Sequence, residues 1–284
     1  MKPSFAKFNL FYSALSAGLA VSISLPAVAT LKPTSLNQNS PIPQEILIAQ
    51  RRSRLRFKVR GVGFSTRRTG AISRGGCTGN SNSQPMKVLL PEFEESDISI
   101  QSESTVEANP TFFVHIPETS APQAEFLLVD ENLKPIYDET FQLKGTPTVA
   151  IINVPENSEI PSLKVNQKYR WYFSLICDPD DPTSDSSPGA KPTVWGSIKR
   201  VEPSDSLANQ LETTPPSARP EIFAEAGIWN DALTSLAQLI VANPNDTTLR
   251  EDWKSLLESV GLGEIAEESL LPLSEVPSPM DNSR

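Results

Sequence analysis

The chain has 284 residues, a formal net charge of −9, 26 prolines, one histidine and two cysteines. This length allows one large domain or two modest ones, and the proline content excludes a fold built from long helices. A zinc centre made of four histidine and cysteine ligands is excluded as well, because the chain has only three such residues.

Residues 1–29 carry the three parts of a secretory signal peptide. Lys2 and Lys7 give a positive start, an uncharged apolar stretch follows over residues 10–25, and Ala27-Val28-Ala29 has the small-x-small pattern of a cleavage site. The apolar stretch is shorter than the roughly 20 residues that a membrane-spanning helix requires. We therefore expect cleavage after Ala29, export to the periplasm or the extracellular space, and no transmembrane segment in the mature chain.

Residues 30–76 form a basic arm. No Asp or Glu occurs between Ile46 and Pro91, where ten Lys and Arg residues give a local charge of +10, whereas the chain from Glu92 onward has a net charge of −21. This composition, with few aromatic residues, predicts a disordered arm. Charge leaves three interpretations open: the arm binds an anionic polymer, folds back onto the acidic part of the chain, or stays solvated. The candidate anion-binding residues are Arg51, Arg52, Arg54, Arg56, Arg60, Arg67 and Arg68.

Residues 77–202 show the period-two alternation of β-strands, divided by prolines and glycines. Seven short strands separated by turns predict an Ig/fibronectin-like antiparallel β-sandwich. In the longest of them, the side chains at alternate positions from Tyr169 to Cys177 share one face, which we expect to lie in the core. The predicted strands are Lys87–Leu90, Thr111–Ile116, Ala124–Asp130, Ile136–Leu143, Thr148–Val154, Tyr169–Asp178 and Thr193–Val201.

Residues 203–266 change to apolar spacings of three and four, which predict helices. The pattern Gly227-x-Trp229-x-x-Ala232-x-x-x-Leu236-x-x-Leu239 resembles the second half of a tetratricopeptide repeat. Only one copy is visible, and about three are needed for a stable solenoid. We therefore expect a small helical segment packed on the β-domain. Residues 267–284 are acidic and rich in proline and serine, and are predicted to form a disordered tail.

Cys77 and Cys177 are the two cysteines, and an even number in an exported chain is typical of disulfide bonding. We predict a bridge between them that closes a loop of about 100 residues, for which the chain-entropy model gives about 4.7 kcal/mol. The alternative is a pair of unconnected thiols.

The sequence shows no complete catalytic motif. His115 lies on a predicted strand without acidic neighbours, so we interpret it as a packed or surface residue rather than a catalytic base. No serine stands in a Gly-x-Ser-x-Gly elbow, and Gly61-Val62-Gly63 does not continue into a dinucleotide-binding fingerprint. No catalytic residue, metal or cofactor is therefore predicted.

The acidic segment Asp178–Asp185 has oxygen ligands of the kind that bind calcium. Pro182 and Thr183 stand where an EF-hand loop needs a ligand and a glycine, so a solvated loop is the default interpretation. Adjacent carboxylates such as Glu94 and Glu95 point apart on a strand and do not by themselves form a glycosidase pair.

Several segments together resemble the exported cyanobacterial family known as domain of unknown function 928, from about Arg67 to Glu267. The resemblance implies an exported protein and carries no activity, substrate or catalytic residue. The denser arginine run of Arg51–Arg60 departs from the proline- and glycine-rich arm of such proteins. The segments are Arg74-Gly75-Gly76-Cys77, Ala124-Glu125-Phe126, Gly145-Thr146-Pro147, Tyr169-Arg170-Trp171-Tyr172-Phe173-Ser174-Leu175-Ile176-Cys177-Asp178-Pro179 and Glu225-Ala226-Gly227-Ile228-Trp229-Asn230-Asp231-Ala232-Leu233.

Two functions from different classes are compatible with the sequence. The leading hypothesis is a non-enzymatic binding or scaffolding module of the cell envelope or extracellular space, whose partner is an envelope protein or an anionic polymer. The alternative is a carboxylate-based hydrolase or lyase that acts on wall or extracellular polysaccharide. A concave pocket with two carboxylates would favour the enzyme. Export makes nucleic acid an unexpected partner.

Overall fold

The computed structural model of the protein describes residues 55–57, 77–78, 84–91, 103–156, 160–180 and 191–273, all within one compact unit of residues 49–284. Nine strands and four helices lie in this part of the chain. The strands are β1 (Lys87–Val88), β2 (Glu103–Thr105), β3 (Thr111–Ile116), β4 (Gln123–Val129), β5 (Pro135–Gln142), β6 (Thr148–Asn153), β7 (Lys168–Ile176), β8 (Thr193–Arg200) and β9 (Leu270–Pro272). The helices are α1 (Asp205–Thr213), α2 (Arg219–Ala226), α3 (Trp229–Ala242) and α4 (Thr247–Glu258).

The strands form two mixed sheets, with the orders β1-β3-β6-β9 and β2-β8-β7-β4-β5. All seven predicted strands are present, and their ends differ from the prediction by at most two residues. The prediction of a purely antiparallel arrangement is wrong, because β2 pairs in parallel with β8 and β9 pairs in parallel with β6. Both were missed because a strand of three residues is too short to show a period of two.

Strand β9 also corrects the predicted tail, since Leu270–Pro272 lie within the segment expected to be disordered. The backbone of Ser269 fixes the approach of this strand to β6. Its carbonyl accepts hydrogen bonds from the backbone N–H of Val149 at 2.8 Å and from the Thr148 hydroxyl at 2.7 Å. The rest of the tail beyond residue 273 lies outside the described residues.

Aromatic side chains pack the two sheets against each other. On β7 the alternating residues Tyr169, Trp171, Phe173 and Leu175 are buried, as the sequence pattern predicts. Phe112 of β3 contacts Trp171 with ring centroids 5.2 Å apart, and it contacts Phe126 of β4 at 4.9 Å. Such aromatic pairs add about 0.5–1.5 kcal/mol each to the burial of their apolar area.

The helices cover the other face of the four-stranded sheet. Phe113, the neighbour of Phe112 on β3, points away from the five-stranded sheet and contacts Trp253 of α4, with ring centroids 6.3 Å apart. Trp229 at the start of α3 is fully buried, and its indole Nε1 donates a hydrogen bond of 2.8 Å to the carbonyl of Leu89. The helical segment is therefore part of the common core. None of the helices in the described part of the chain is both long enough and apolar enough to span a membrane.

Two residues of the basic arm are packed into this helical layer. Leu55 and Phe57 are buried, while Arg56 between them is exposed. The Phe57 ring meets Trp229 edge-on at 5.0 Å, and its backbone N–H donates to the Ser259 hydroxyl at 3.1 Å. The prediction of disorder is thus wrong at 55–57, because the burial of two apolar side chains stabilises this segment despite the charged arginines around it. The signal peptide and the remaining candidate anion-binding residues, Arg51, Arg52, Arg54, Arg60, Arg67 and Arg68, lie outside the described residues.

The predicted disulfide is present between Cys77 and Cys177, whose Cα atoms are 5.3 Å apart. Cys177 follows directly on β7, so the bridge joins Cys77, the residue after the arm, to the end of the central strand. The carbonyl of Cys77 accepts hydrogen bonds from the Thr119 hydroxyl at 2.6 Å and from the Ser120 backbone at 2.8 Å. These contacts hold the residue in place beside the sheet.

We expect Cys77→Ser to lower the free energy of unfolding by about 2–5 kcal/mol, because the bridge spans a long loop in the unfolded chain. Urea denaturation of the mature protein measures the change. Cys177→Ser and reduction of the wild type should give losses of similar size. Two thiols that alkylate freely in the native protein would contradict the bridge.

Trp229→Ala should lower the free energy of unfolding by about 3–5 kcal/mol, as truncation of a buried tryptophan does. Trp229→Phe should cost less, since it keeps most of the apolar contact and loses only the hydrogen bond to Leu89. Leu133→Ala is the control, because Leu133 is 62% exposed and should change stability by less than about 0.5 kcal/mol. Equal stability of Trp229→Ala and wild type would mean that the helices are not part of the core.

Candidate functional site: a cleft beside Asp231

A polar cleft lies where α2 and α3 approach the loop that connects β2 to β3. Its volume is about 370 Å³. We call it the Asp231 cleft, after the buried carboxyl group that lines it. The lining residues are Glu107, Asn109, Thr111, Pro216, Arg219, Phe223, Asp231, Thr234, Ser235, Gln238 and Leu239.

The first turn of α3 brings the polar residues of this region together. The Asn230 side-chain amide donates to the Thr111 carbonyl at 2.8 Å and to Oε1 of Glu103 at 3.2 Å. Next to it, Oδ2 of Asp231 accepts a hydrogen bond of 3.3 Å from the backbone N–H of Val106. An acidic residue in the first helical turn also interacts favourably with the helix dipole. The helix start is therefore held against the first residue of β3 in one sheet and against β2, the edge strand of the other.

Two carboxyl groups are buried here, and both have raised pKa values. Burial raises the pKa of Glu103 to about 8; the hydrogen bond from Asn230 opposes this rise, and the charge of Asp231 adds to it. Burial raises the pKa of Asp231 to about 7, against hydrogen bonds from Thr105 and Val106 and with the help of the charge of Glu107. Ionisable groups with such shifts are concentrated at functional sites.

Several buried oxygens around the cleft have no hydrogen-bond partner among the described residues: Oδ1 of Asp231, Oδ1 of Asn109, Oδ1 of Asn230 and the Thr234 hydroxyl. Asp231 is only 2% exposed, and Asn109 and Thr234 line the cleft with it. Nearly all buried polar atoms in proteins are hydrogen-bonded, and each one left unpaired costs about 1–3 kcal/mol. A cluster of them around one cavity therefore calls for hydrogen-bond partners from outside the described residues, which ordered water or a ligand can supply.

An apolar groove of about 230 Å³ adjoins the cleft, between α3 and the outer face of the four-stranded sheet. Thr111, Thr234 and Gln238 line both cavities. The other residues of the groove are mainly apolar, and Pro272 of β9 belongs to them. They are Phe113, Ile151, Asn153, Ala237, Val241, Ala242 and Pro272.

The candidate residues considered from sequence do not enter this site. His115 is buried, with Nδ1 3.1 Å from the carbonyl of Pro85, and burial lowers its pKa. In the acidic segment, the Asp178 carboxylate accepts a hydrogen bond from the backbone of Asp180, and residues 181–185 lie outside the described residues. Within residues 55–57, 77–78, 84–91, 103–156, 160–180 and 191–273, no group of three or more histidine, cysteine or acidic side chains is placed to hold a metal ion.

Sequence reasoning missed Glu103, Asn109, Asp231 and Thr234. Asp231 leaves a faint signal, because Asn230 and Asp231 are polar residues at the start of a helix whose neighbouring positions are apolar. Glu103 leaves none, because its strand has only three residues and all of them are polar.

The raised pKa of Glu103 predicts that stability falls as pH increases. The pKa of this carboxyl is about 4.5 in the unfolded chain and about 8 in the folded protein. The folded protein therefore favours the protonated form, and stability falls as the pH rises from about 4.5 to about 8. Asp231 acts in the same direction between about 4 and 7. We expect the wild type to be less stable at pH 8 than at pH 5, by an amount on the order of a few kcal/mol.

Glu103→Gln should flatten this profile and be more stable than wild type at pH 8, because the amide oxygen can still accept from Asn230. Chemical denaturation at several pH values measures it. Glu118→Gln is the matched control, because Glu118 is exposed, and its pH profile should follow that of the wild type. A Glu103→Gln profile as steep as the wild type would show that this carboxyl does not cause the effect.

Comparison with known proteins gives a family and no relative of known activity. Residues 69–270 match the family model described as Domain of Unknown Function (DUF928). This range contains strands β1 to β8, all four helices and every residue that lines the Asp231 cleft. No curated protein matches the chain. Since the match covers well over half of the sequence, the protein belongs to the Domain of Unknown Function (DUF928) family.

Proposed function

We propose that this protein is an exported, non-enzymatic binding module of the cell envelope or extracellular space, and that the Asp231 cleft with its apolar groove is the ligand site. The observation that carries the proposal is that Asp231, a residue that lines an accessible cavity, has a buried Oδ1 atom with no hydrogen-bond partner among the described residues. A polar site beside an apolar one is the usual composition of a ligand pocket. Export is supported by the signal-peptide pattern and by the disulfide, since such bridges are typical of oxidising compartments.

The composition of the cleft favours binding over catalysis. Of the two carboxyl groups with raised pKa values, only Asp231 lines the cleft; Glu103 does not. Among the described residues that line it there is no histidine, cysteine or lysine. The usual nucleophiles and bases of hydrolases are thus reduced to two acidic side chains and three hydroxyl groups. The acidic residues are Asp231 and the exposed Glu107, and the hydroxyl groups belong to Thr111, Thr234 and Ser235.

The second candidate function is a carboxylate-based hydrolase or lyase that acts on wall or extracellular polysaccharide. One observation favours it: Asp231, with a pKa of about 7, shares the cleft with Glu107, whose charge raises that pKa. A protonated acid beside an ionised carboxylate is the arrangement that glycosidases use. In this alternative Asp231 donates the proton and Glu107 acts as the base.

The proposal includes the finer description of the fold and the role of the arm. We interpret the two packed sheets as an Ig/fibronectin-like sandwich, and α2 with α3 as a single tetratricopeptide-like hairpin that turns at Gly227, where φ is 76°. Leu55 and Phe57 attach the arm to this hairpin. We propose that the candidate anion-binding arginines of this arm bind an anionic polymer of the envelope.

A capture experiment tests whether the cleft is the site. Gln238 is exposed and lines both cavities, so Gln238→Trp should block them without loss of core packing. Gln210→Trp is the matched control, because Gln210 is an exposed glutamine on α1 outside the cleft. Immobilised mature protein is exposed to native envelope and secreted fractions, and we expect material retained by wild type and by Gln210→Trp to be lost with Gln238→Trp.

Retention that is equal in all three proteins would contradict the cleft as the site. To separate binding from catalysis, the same fractions are assayed for newly released reducing ends or unsaturated sugars. Turnover that disappears in both Asp231→Asn and Glu107→Gln would favour the enzyme. Retention without turnover supports the binding module.

A further inference from the structure

The hydrogen-bonding groups of the Asp231 cleft are mostly acceptors, and this restricts the chemistry of the ligand. Oδ1 of Asp231 and Oδ1 of Asn109 lack partners; the Thr234 hydroxyl lacks one as well and can accept. An amide oxygen and an ionised carboxylate can only accept hydrogen bonds, and Asp231 takes the ionised form when a cation lies beside it. A partner that satisfies them must therefore present N–H or O–H donors.

The charge of the cleft selects among such donors. Asp231 and Glu107 line the cleft. Glu103 does not line it, but it accepts a hydrogen bond from Asn230, the residue next to Asp231. Arg219 is the single basic residue among the described residues that line the cleft, and it is exposed. Near pH 7 Glu103 is mainly protonated and Asp231 partly so, because burial raises their pKa values to about 8 and about 7. A cation bound beside Asp231 favours the ionised form of that carboxyl group and is attracted by it, whereas an anion is not. An ammonium or guanidinium group supplies both the positive charge and several donors.

The groove and the cleft are lined by the same pattern of α3 positions, and the groove's positions lie further toward the C-terminus of the helix. The α3 residues of the cleft are Asp231, Thr234, Ser235, Gln238 and Leu239, and those of the groove are Thr234, Ala237, Gln238, Val241 and Ala242. Each position is shifted by three residues, which corresponds to about 4.5 Å along the helix axis. Side chains two apart in an extended peptide point the same way and are separated by roughly 6.6 Å. The two spacings differ by about 2 Å. The long, flexible side chain of a lysine or arginine can make up this difference when it enters the cleft and an apolar side chain enters the groove.

We propose that the Asp231 cleft binds the ammonium or guanidinium group of a lysine or arginine in an extended peptide segment, and that the apolar side chain two residues away fills the adjoining groove. This inference rests on the proposed function and names its ligand class. Oδ1 of Asp231 is covered by its neighbours, so the cation reaches it after a rotation of the carboxyl group or through a bridging water. The recognised pattern is basic-x-apolar.

Fluorescence anisotropy with labelled peptides tests this ligand class on the full mature protein. The probe is acetyl-Ser-Lys-Ser-Leu-Ser-amide carrying a fluorophore. The matched peptides replace Lys by Gln or Leu by Ala. We expect the Lys peptide to bind at least tenfold more tightly than the Gln peptide, with a difference that shrinks at high salt, and the Leu-to-Ala change to weaken binding several-fold.

Protein variants assign the two preferences to the two cavities. Asp231→Asn and Glu107→Gln should each reduce the preference for Lys over Gln. Glu107 is exposed, so its variant keeps the test valid if Asp231→Asn does not fold. Val241→Asn changes a groove residue that is 47% exposed and should reduce only the preference for Leu over Ala. Glu118→Gln should change neither.

Equal affinity for the Lys and Gln peptides would overturn the inference, as would a preference for Lys that survives both acidic-residue variants. Chitohexaose that binds more tightly than the Lys peptide, with a loss in Gln238→Trp, would overturn it in favour of a sugar ligand. In both cases, the proposed binding function stays supported if Gln238→Trp abolishes the capture of material from the envelope and secreted fractions. Both proposals fail if Gln238→Trp captures as much material as the wild type and the Lys peptide does not bind.

Discussion

The first turn of α3 is the contact on which the rest of the structure depends. Trp229 and Asn230 donate hydrogen bonds of 2.8 Å to the carbonyls of Leu89 and Thr111, at the ends of two strands of the four-stranded sheet. Asn230 also reaches Glu103 on β2, the edge strand of the other sheet. A single helical turn thus connects the helices with both sheets. It shields Leu89 and Thr111 and forms one wall of the cleft.

This contact carries an energetic cost, because it removes two carboxyl groups from water. An ionised carboxylate is poorly tolerated in such surroundings, and both groups respond with raised pKa values. Aliphatic side chains at Glu103 and Asp231 would fill the same space without this penalty. Local features that oppose stability are expected mainly at functional sites, where ligand contacts compensate for them. The position of these acids therefore supports the proposed site independently of the cavity's shape.

The sequence predicts the parts of the fold in which one side of an element is apolar. On β7 every second residue is large and apolar, and its core face follows directly from that pattern. Strands β2 and β9 have no such pattern, and their parallel pairing depends on where the chain returns in space. The burial of Leu55 and Phe57 is not predictable from composition, because arginines dominate the sequence around them. The cleft is not predictable from sequence, because Asn109 and Asp231 line one cavity only after α3 has packed against both sheets.

The helical segment is anchored in a different sheet at each of its ends. It leaves β8 of the five-stranded sheet after Arg200 and returns to the four-stranded sheet as β9 at Leu270. Attachment at both ends restricts a swing of the helices as one body, so we expect the cleft to respond to a ligand mainly by side-chain rotations. Little backbone entropy would then be lost on binding. Free and occupied forms of the protein should therefore have nearly superimposable backbones, and selectivity should arise from preorganisation rather than from induced closure.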